Sequence, residues 1–313
     1  MLEGLEAAIQ RLPAYHEALP AVVAKQAAVQ AGFGGEQELD KVFETYKFPM
    51  KYSLFHDISL QSSTHFQVDT LFLTPWFAVL FEVKNISGEL LVTQNPPQLI
   101  RTSGSGQVTS FKSPVAQLAS NCELFKDWLH SRRMSLPVYG AVVLAYVKQR
   151  VELSDIDTPF LFPSTVPQFI RSLPKGKIPL LDSYEFEQLS ADLCHSHQAY
   201  NPAPICKTYD ISHHAIQRGV ICPACGSIGM KWHFKGWCCK SCQETSRTAH
   251  HQAIRDWFLL FGGGMRNRDC REFLGVERQQ TAHRLLASMP LRKEGRNRNR
   301  TYTLIWNEDS KHT

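Results

Sequence analysis

Two neighbouring apolar runs, FQVDTLFLT (66–74) and WFAVLFEVK (76–84), are short, rich in Val, Phe and Leu, and separated by Pro75-Trp76. Runs of this length on either side of a turn signal predict a β-hairpin whose strands are buried on at least one face. Upstream, Gly32, Gly34 and Gly35 predict a loop, and Leu39, Val42, Phe43 and Tyr46 then follow at helical spacing. Glu36 falls in the first turn of that helix, where the dipole favours a carboxylate. Downstream, Pro114 opens another predicted helix with an apolar stripe of Val115, Leu118, Ala119, Cys122, Phe125 and Leu129. Gln117 falls off that stripe and is free for polar contacts. Leu2, Leu5, Ile9 and Leu12 mark an amphipathic helix broken at Pro13, expected to pad the core of the following domain or to serve a dimer contact. The polar, Gly/Ser/Pro-rich stretch 94–113 predicts a hairpin or loop. Residues 151–205, with prolines and isolated apolar positions, predict the end of the core and a connector.

Helical periodicity returns near the C-terminus. AHHQAIRDWFLLF (249–261) places Ala253, Ile254, Trp257, Phe258 and Phe261 on one face, and Gly262-Gly263-Gly264 ends it. Asn267 is positioned to cap a short second helix with Cys270, Phe273 and Leu274 inward and Gly275 as terminator. A third helix is predicted from Arg278 to Met289, with Ala282, Leu285, Leu286 and Met289 inward. Its outward side carries Arg278, Gln279, Gln280, His283 and Arg284. PLRKEGRNRNRTYTLIW then predicts strand, basic turn and strand, with Arg292, Lys293, Arg296, Arg298 and Arg300 against one acid, Glu294. Three helices followed by a hairpin resemble a winged helix-turn-helix domain. The resemblance implies a third helix in the major groove and a wing on phosphates or the minor groove.

Charge sharpens this division. Residues 247–313 hold 13 Lys+Arg and 7 Asp+Glu, net +6; the rest of the chain holds 21 and 22, net −1, which together give the chain's +5. A basic surface of this kind suits nucleic acid, although a solvated basic tail on a protein-binding domain has the same composition. At 313 residues and 43% hydrophobic content, the chain is long enough for two or three domains with real cores. No apolar run reaches transmembrane length, and the opening Met-Leu-Glu-Gly-Leu-Glu lacks the basic region of a secretory leader, so no membrane partner is expected.

Candidate chemistry centres on the hairpin. Glu82 and Lys84 lie two apart and point the same way on a strand, and a hairpin can bring Asp69 beside them. Buried carboxylates are costly unless paired or metal-bound, and two of them invite a hard divalent cation such as Mg²⁺ or Mn²⁺. A plainer reading fits the same spacing: a strand-end ion pair of Glu82 with Lys84, and Asp69 in a turn.

The ordered set GFGGE (32–36), QVDTL (67–71), FEVKN (81–85) with Gly88 after it, and SPVAQ (113–117) resembles the NERD (nuclease-related) domain, a branch of the PD-(D/E)XK nuclease superfamily. The resemblance spans about residues 30–195. It implies an α/β fold with a mixed sheet flanked by helices. It also implies Asp69 and Glu82 as metal ligands, Lys84 as the catalytic lysine, and Glu36 and Gln117 as helix-borne polar partners of the site. Val68-Asp69 stands where the broader pattern often has Pro-Asp, and Ser113 where this family often has Asn; neither departure removes a charged group.

Cys222-Pro-Ala-Cys225 and Cys239-Lys-Ser-Cys242 form two C-x₂-C pairs separated by 13 residues. Each pair can place two thiolates on one tetrahedral cation, and the gap fits a short hairpin. The segment resembles a four-cysteine zinc ribbon; reduced core cysteines or disulfides are the alternatives. Cys238 adjoins the second pair, but Cys239 keeps the x₂ spacing. His213, His214 and His233 are nearby, though four thiolates already complete a structural site. Nine cysteines with two zinc-like pairs among them point to a reducing, cytoplasmic setting rather than a disulfide framework.

The expected organisation is a helical segment (1–30), a nuclease-like domain (31–205), a zinc ribbon (206–246) and a winged helix (247–313). The expected function is a Mg²⁺- or Mn²⁺-dependent deoxyribonuclease acting on DNA, double-stranded by the winged-helix resemblance, with Zn²⁺ in a structural role. A catalytically inactive DNA-binding regulator or scaffold is the alternative, RNA is a further candidate substrate, and homo-oligomerisation stays open.

Overall fold

The computed structural model describes residues 1–146, 150–154, 156–198, 203–234, 236–296 and 299–305. Two helices, α1 (Leu2–Arg11) and α2 (Leu19–Thr45), open the chain. The chain forms two compact units, residues 30–200 and residues 1–29 together with 201–308, so α2 begins in one and ends in the other.

The unit of residues 30–200 contains β1 (Ser53–Gln61), β2 (His65–Leu73), β3 (Ala78–Lys84), β4 (Glu89–Gln94), β5 (Pro97–Thr102), β6 (Val108–Lys112), α3 (Pro114–His130), β7 (Val138–Leu144), β8 (Arg150–Leu153), β9 (Phe160–Leu161), α4 (Val166–Ser172) and α5 (Ser183–Ser196). Its main sheet has the order β1-β2-β3-β7-β9, antiparallel from β1 to β3 and parallel from β3 to β9. The expected hairpin is β2–β3. Thr74 holds its turn, with Oγ1 accepting from the N–H groups of Trp76 and Phe77 and donating to Phe77 O. β3 has a partner on each side and both faces covered, so every side chain from Ala78 to Val83 is buried. That is why its sequence reads as an unbroken apolar run rather than an alternation.

Leu39 and Phe43 of α2 and Ile170 of α4 cover one face of the sheet, against Phe72, Val79, Phe81 and Val143. Leu118 and Phe125 of α3 and Leu189 and Leu193 of α5 cover the other, against Leu71, Leu80 and Val142. The stripe expected on α3 needs correction: Ala119 is exposed, and Asn121 and Trp128 are buried instead. Stretch 94–113 is a hairpin, formed by β5 and β6 within a second sheet of order β6-β5-β4-β8. The stretch after residue 151 ends in α5, whose first turn is closed by reciprocal bonds between Asp182 and Glu185.

The glycine-rich segment 32–35 is not a loop. α2 runs through it without a break, and Glu36 lies mid-helix rather than in a first turn. A glycine inside a helix costs about 1 kcal/mol relative to alanine, so it needs a packing reason. At Gly35 the reason is close approach: a Cβ there would lie 2.9 Å from Asn85 Cβ and 3.3 Å from Ala145 Cβ. Asn85 Nδ2 also donates to Ala31 O at 2.7 Å, which ties the helix to the end of β3.

The other unit contains α1, α6 (Ile205–Thr208), β10 (Val220–Ile221), β11 (Ile228–His233), β12 (Gly236–Cys238), β13 (Thr245–Ser246), α7 (Ala249–Phe261), β14 (Met265–Arg266), α8 (Asn267–Leu274), α9 (Gln279–Ala287), β15 (Leu291–Glu294) and β16 (Thr301–Leu304). The sheet β10-β11-β12-β13 and the sheet β14-β16-β15 share one apolar core, in which Met230 and Trp237 join Ile254, Phe258, Leu274 and Tyr302. α1, expected to pad the nuclease-like core, buries Leu5, Ala8 and Leu12 in this core instead. Arg266, not Asn267, caps α8; its N–H donates to Asp269 Oδ2 at 2.8 Å. Gly275 ends α8 in the left-handed conformation.

Candidate active site and metal centre

The candidate site lies where β2 and β3 stop pairing. Their register ends at Thr70↔Phe81, and beyond it the Asp69 carboxylate takes over from backbone pairing, with Oδ2 accepting the Val83 N–H at 2.8 Å. Glu82 and Lys84 continue the row of Ala78 and Leu80, which pack on the α3 and α5 side. Glu82 is 2% exposed and Lys84 24%, and Lys84 Nζ donates to Glu82 Oε1 at 2.5 Å. The strand-end ion pair is therefore present, but it is set inside an acidic cluster rather than alone.

Burial pushes the Glu82 carboxyl up to about 7; Asp69 and, more weakly, Glu36 push the same way, and Lys84 opposes them. Burial also raises Asp69, opposed by the Val83 N–H and by Lys84 and reinforced by Asp57. Both carboxyls are thus raised and each raises the other's cost of ionisation, a property characteristic of sites that hold cations or move protons.

Asp57 was not expected here. On β1 it stands between His56↔Thr70 and Ile58↔Val68, opposite Asp69, with φ +52°. On both strands the inward positions switch parity at this point. Ile58 and Leu60 give way to Phe55 on β1, and Phe66 and Val68 give way to Leu71 and Leu73 on β2. The left-handed residue turns the strand pair, so that Asp57 and Asp69 meet at the switch. A break in alternation between Phe55 and Ile58 is the signal in the sequence that marks it. Gln67 Nε2 donates to Asp57 Oδ1.

Glu36 is half-buried on α2, one residue after the Gly35 contact, and its charge reaches Glu82. Gln117 is exposed on the first turn of α3, whose N-cap is Ser113. One turn on, Asn121 meets the sheet, donating to Gln67 O at 2.8 Å. With Asp69 Oδ2 and Glu82 Oε1 engaged, each carboxylate keeps one further oxygen. Two carboxylate oxygens fit the needs of Mg²⁺ or Mn²⁺, which take one or two carboxylates and fill the rest with water and phosphate oxygens.

Among the described residues, the group of three or more metal-ligating side chains with converging atoms is Cys222, Cys225, Cys239 and Cys242, all within 4.8 Å of one another. Sγ–Sγ separations of 3.6 Å (Cys222–Cys242) and 3.7 Å (Cys225–Cys239) match the edge of about 3.8 Å expected for thiolates 2.3 Å from a tetrahedral zinc. Both knuckles have one design. Cys222 N–H donates to Ser227 O and Gly226 N–H to Cys222 O; Cys239 N–H donates to Glu244 O and Gln243 N–H to Cys239 O. The left-handed position is Gly226 (φ +73°) in the first knuckle and Gln243 (φ +65°) in the second. Cys238 is not part of this group, and its Sγ lies 3.8 Å from Cys239 O. His213 packs on the Phe261 ring. The four thiols could hold a metal ion, and their softness suits zinc.

On α9, Gln279, Gln280, His283 and Arg284 are exposed, as expected, and so is Arg278 at its N-cap. Arg292 and Lys293 lie on β15, and Arg296 and Arg300 in the turn that leads to β16, while Arg298 lies outside the described residues. No helix among the described residues is long and apolar enough to cross a membrane.

Residues 31–145 match the family model NERD, nuclease-related domain. That span runs from the second half of α2 to the end of β7, and so includes Glu36, Asp69, Glu82, Lys84 and Gln117. The match supports a nuclease-related function and contact with nucleic acid for this part of the chain. No curated protein and no solved structure matches the chain.

Proposed function

We propose that this protein is a metal-dependent deoxyribonuclease with a PD-(D/E)XK-type core, held on duplex DNA by a zinc ribbon and a winged helix-turn-helix that share one core. The observation that carries the reading is the placing of Asp69, Glu82 and Lys84 at the frayed end of one hairpin, inside a nuclease-related domain. Asp69 and Glu82 would hold Mg²⁺ or Mn²⁺, which supplies a low-pKa water and charge stabilisation when bound. Lys84, then released from Glu82, is placed to orient that water and to offset charge growing on the scissile phosphate. Glu36 and Gln117 flank the site on α2 and α3 and position the substrate strand. The second unit contributes affinity through α9 and the basic turn, since a small carboxylate site has few groups with which to grip DNA.

The proposal is tested with purified protein on linear, circular and single-stranded DNA, with Mg²⁺, Mn²⁺ or EDTA. Cleavage should need the cation, and Asp69→Ala or Lys84→Ala should reduce it at least ~10³-fold while DNA affinity stays near wild type. Cleavage that survives EDTA, or full activity in Asp69→Ala, refutes the mechanism. One observation favours the alternative, a scaffold that has lost cleavage: the Lys84 ammonium is bonded to Glu82. Cation-dependent DNA binding with no cleavage under any of these conditions would establish that reading.

The same reading assigns one structural Zn²⁺ to Cys222, Cys225, Cys239 and Cys242. Natively purified protein should contain one zinc per chain by metal analysis. Cys238→Ser should retain it, and Cys239→Ser should lose both the metal and the fold of this unit, because Trp237 and Cys239 belong to its core. Zinc lost from Cys238→Ser would show that the ligand assignment is wrong.

A further inference from the structure

The second unit has an open cavity of about 970 Å³ between α8, α9 and β16. Sequence periodicity points to α9 as its polar wall, but the structure adds a second wall of arginines. Arg266, Arg268 and Arg271 come from α8 and its cap and face the cavity with Arg284 of α9 and Arg300 just before β16. No carboxylate is among the described residues that line it. Two buried polar atoms at the cavity lack a partner, the donor Arg271 Nε and the acceptor Asn267 Oδ1. The remaining bonds of these side chains hold the turn between the helices: Arg271 Nη1 donates to Glu277 O at 3.3 Å and Asn267 Nδ2 to Gln279 O at 3.1 Å.

The small sheet divides the basic turn between two faces. Tyr302, opposite Lys293, and Arg300 share the face toward this cavity. Arg292 and Glu294 pair with Thr303 and Thr301, and all four line a different cavity of about 900 Å³. A ligand seated between α8 and α9 therefore meets Arg300 and not Arg292.

We infer that this arginine-walled cleft grips the phosphodiester backbone of one nucleic-acid strand, with α8 supplying most of the phosphate contacts and Gln279 and Gln280 placed at the base edges. The inference rests on the reading of this unit as the part that holds DNA, and it adds where the strand lies. Guanidinium groups suit phosphate through paired N–H donors, and amide side chains suit base edges.

The test uses the full chain carrying Asp69→Asn, so that binding is read without cleavage. Duplex binding is measured by fluorescence anisotropy from ~50 to ~200 mM salt. Arg266→Ala with Arg268→Ala should weaken binding at least ~10-fold and flatten the log–log salt slope by about 2, one unit for each phosphate no longer neutralised. Both side chains are exposed, and the pair that Arg268 Nε makes with Glu272 Oε1 at 2.7 Å lies at the surface, so melting should change little; Arg271→Gln, which keeps a donor toward Glu277 O, serves as a third variant. Arg292→Ala should leave the slope as it is. If Arg292→Ala flattens the slope and the α8 pair does not, the strand lies on the other face; this inference falls while DNA holding stands. If the Asp69→Asn protein binds no duplex at any salt, the DNA-holding reading fails and takes the inference with it. If AMP alone displaces DNA and stabilises the protein, and the α8 pair abolishes both effects, the cleft is a free-nucleotide site and the strand assignment is overturned.

Discussion

Glu82→Gln is expected to abolish cleavage and, in metal-free protein, to make the fold more stable above pH 7. The two effects have one cause. Glu82 is 2% exposed, and burial lifts its carboxyl from 4.5 to about 7. Between those values the folded chain keeps a proton that the unfolded chain has released, so stability falls as pH rises through that window. The full cost then persists above pH 7. It is roughly 3 kcal/mol for a shift of this size, shared with Asp69 because the two carboxyls titrate together. Glutamine removes the ionisation and keeps the shape, so the variant should melt higher than wild type at pH 8 and equally at pH 4.5. Lys84 loses its partner but is partly exposed and can be solvated. Mg²⁺ or Mn²⁺ should stabilise the wild type increasingly from pH 5 to pH 8 and leave Glu82→Gln unmoved. Equal melting temperatures of the two proteins at pH 8 would show that the carboxylate bears no burial cost, and with it the cation argument would fail.

Arg11→Met should lower the stability of the other unit by about 3–5 kcal/mol. Arg11 is fully buried, with Nε and Nη2 donating to Asp256 Oδ2 at 2.9 and 2.8 Å. Nη1 donates to Gln217 O at 3.1 Å and Gly219 O at 2.9 Å, and the guanidinium lies 4.8 Å from the centre of the Phe273 ring. Gln252 Nε2 holds the remaining Asp256 oxygen at 2.8 Å. Burial lowers the Arg11 pKa and Asp256 opposes the shift, so the pair is stable only as a pair. Methionine leaves Asp256 1% exposed without its cation and two carbonyls without donors. Urea unfolding should show the transition of this unit moving to lower concentration, with the transition of the nuclease-like unit unchanged. The double variant Arg11→Met/Asp256→Leu should recover the part of the loss due to the uncompensated Asp256 carboxylate, because an apolar pair carries no charge desolvation, while the Gln217 and Gly219 carbonyls stay without their donor. A loss under 1 kcal/mol in Arg11→Met would mean that α1 is not held by this pair.

α1 illustrates how much of the architecture escapes a reading of local pattern. Its apolar spacing identified a helix, and its place in the sequence suggested the neighbouring core. Its partner is Asp256, 245 residues away. The acidic site was legible in a similar, partial way. Glu82 and Lys84 share a face because strand periodicity is two, and the hairpin follows from two apolar runs around Pro75-Trp76. Whether Asp69 reached them depended on the parity switch opposite Asp57, which needs a left-handed residue on another strand. Gly35 read as a loop signal because glycine usually marks one; here it clears space for Asn85 and Ala145, and only the packed structure contains that contact.

The sequence by itself determined the features whose physics is local. These are the β2–β3 hairpin, the helices α7 and α8 with their glycine stops, the helix α9, and the C-x₂-C knuckles, each set by spacing within one or two turns or strands. The tertiary structure decided what depends on residues far apart in the chain. It made α2 continuous through its glycines, gave the two small sheets one core with α1, and buried Glu82 deeply enough to move its proton toward pH 7. It also set the arginines of α8 and its cap around one cavity with Arg284 of α9. Helix and strand periodicities fix which face a side chain occupies, but burial, close approach and charge coupling arise only when separate faces meet.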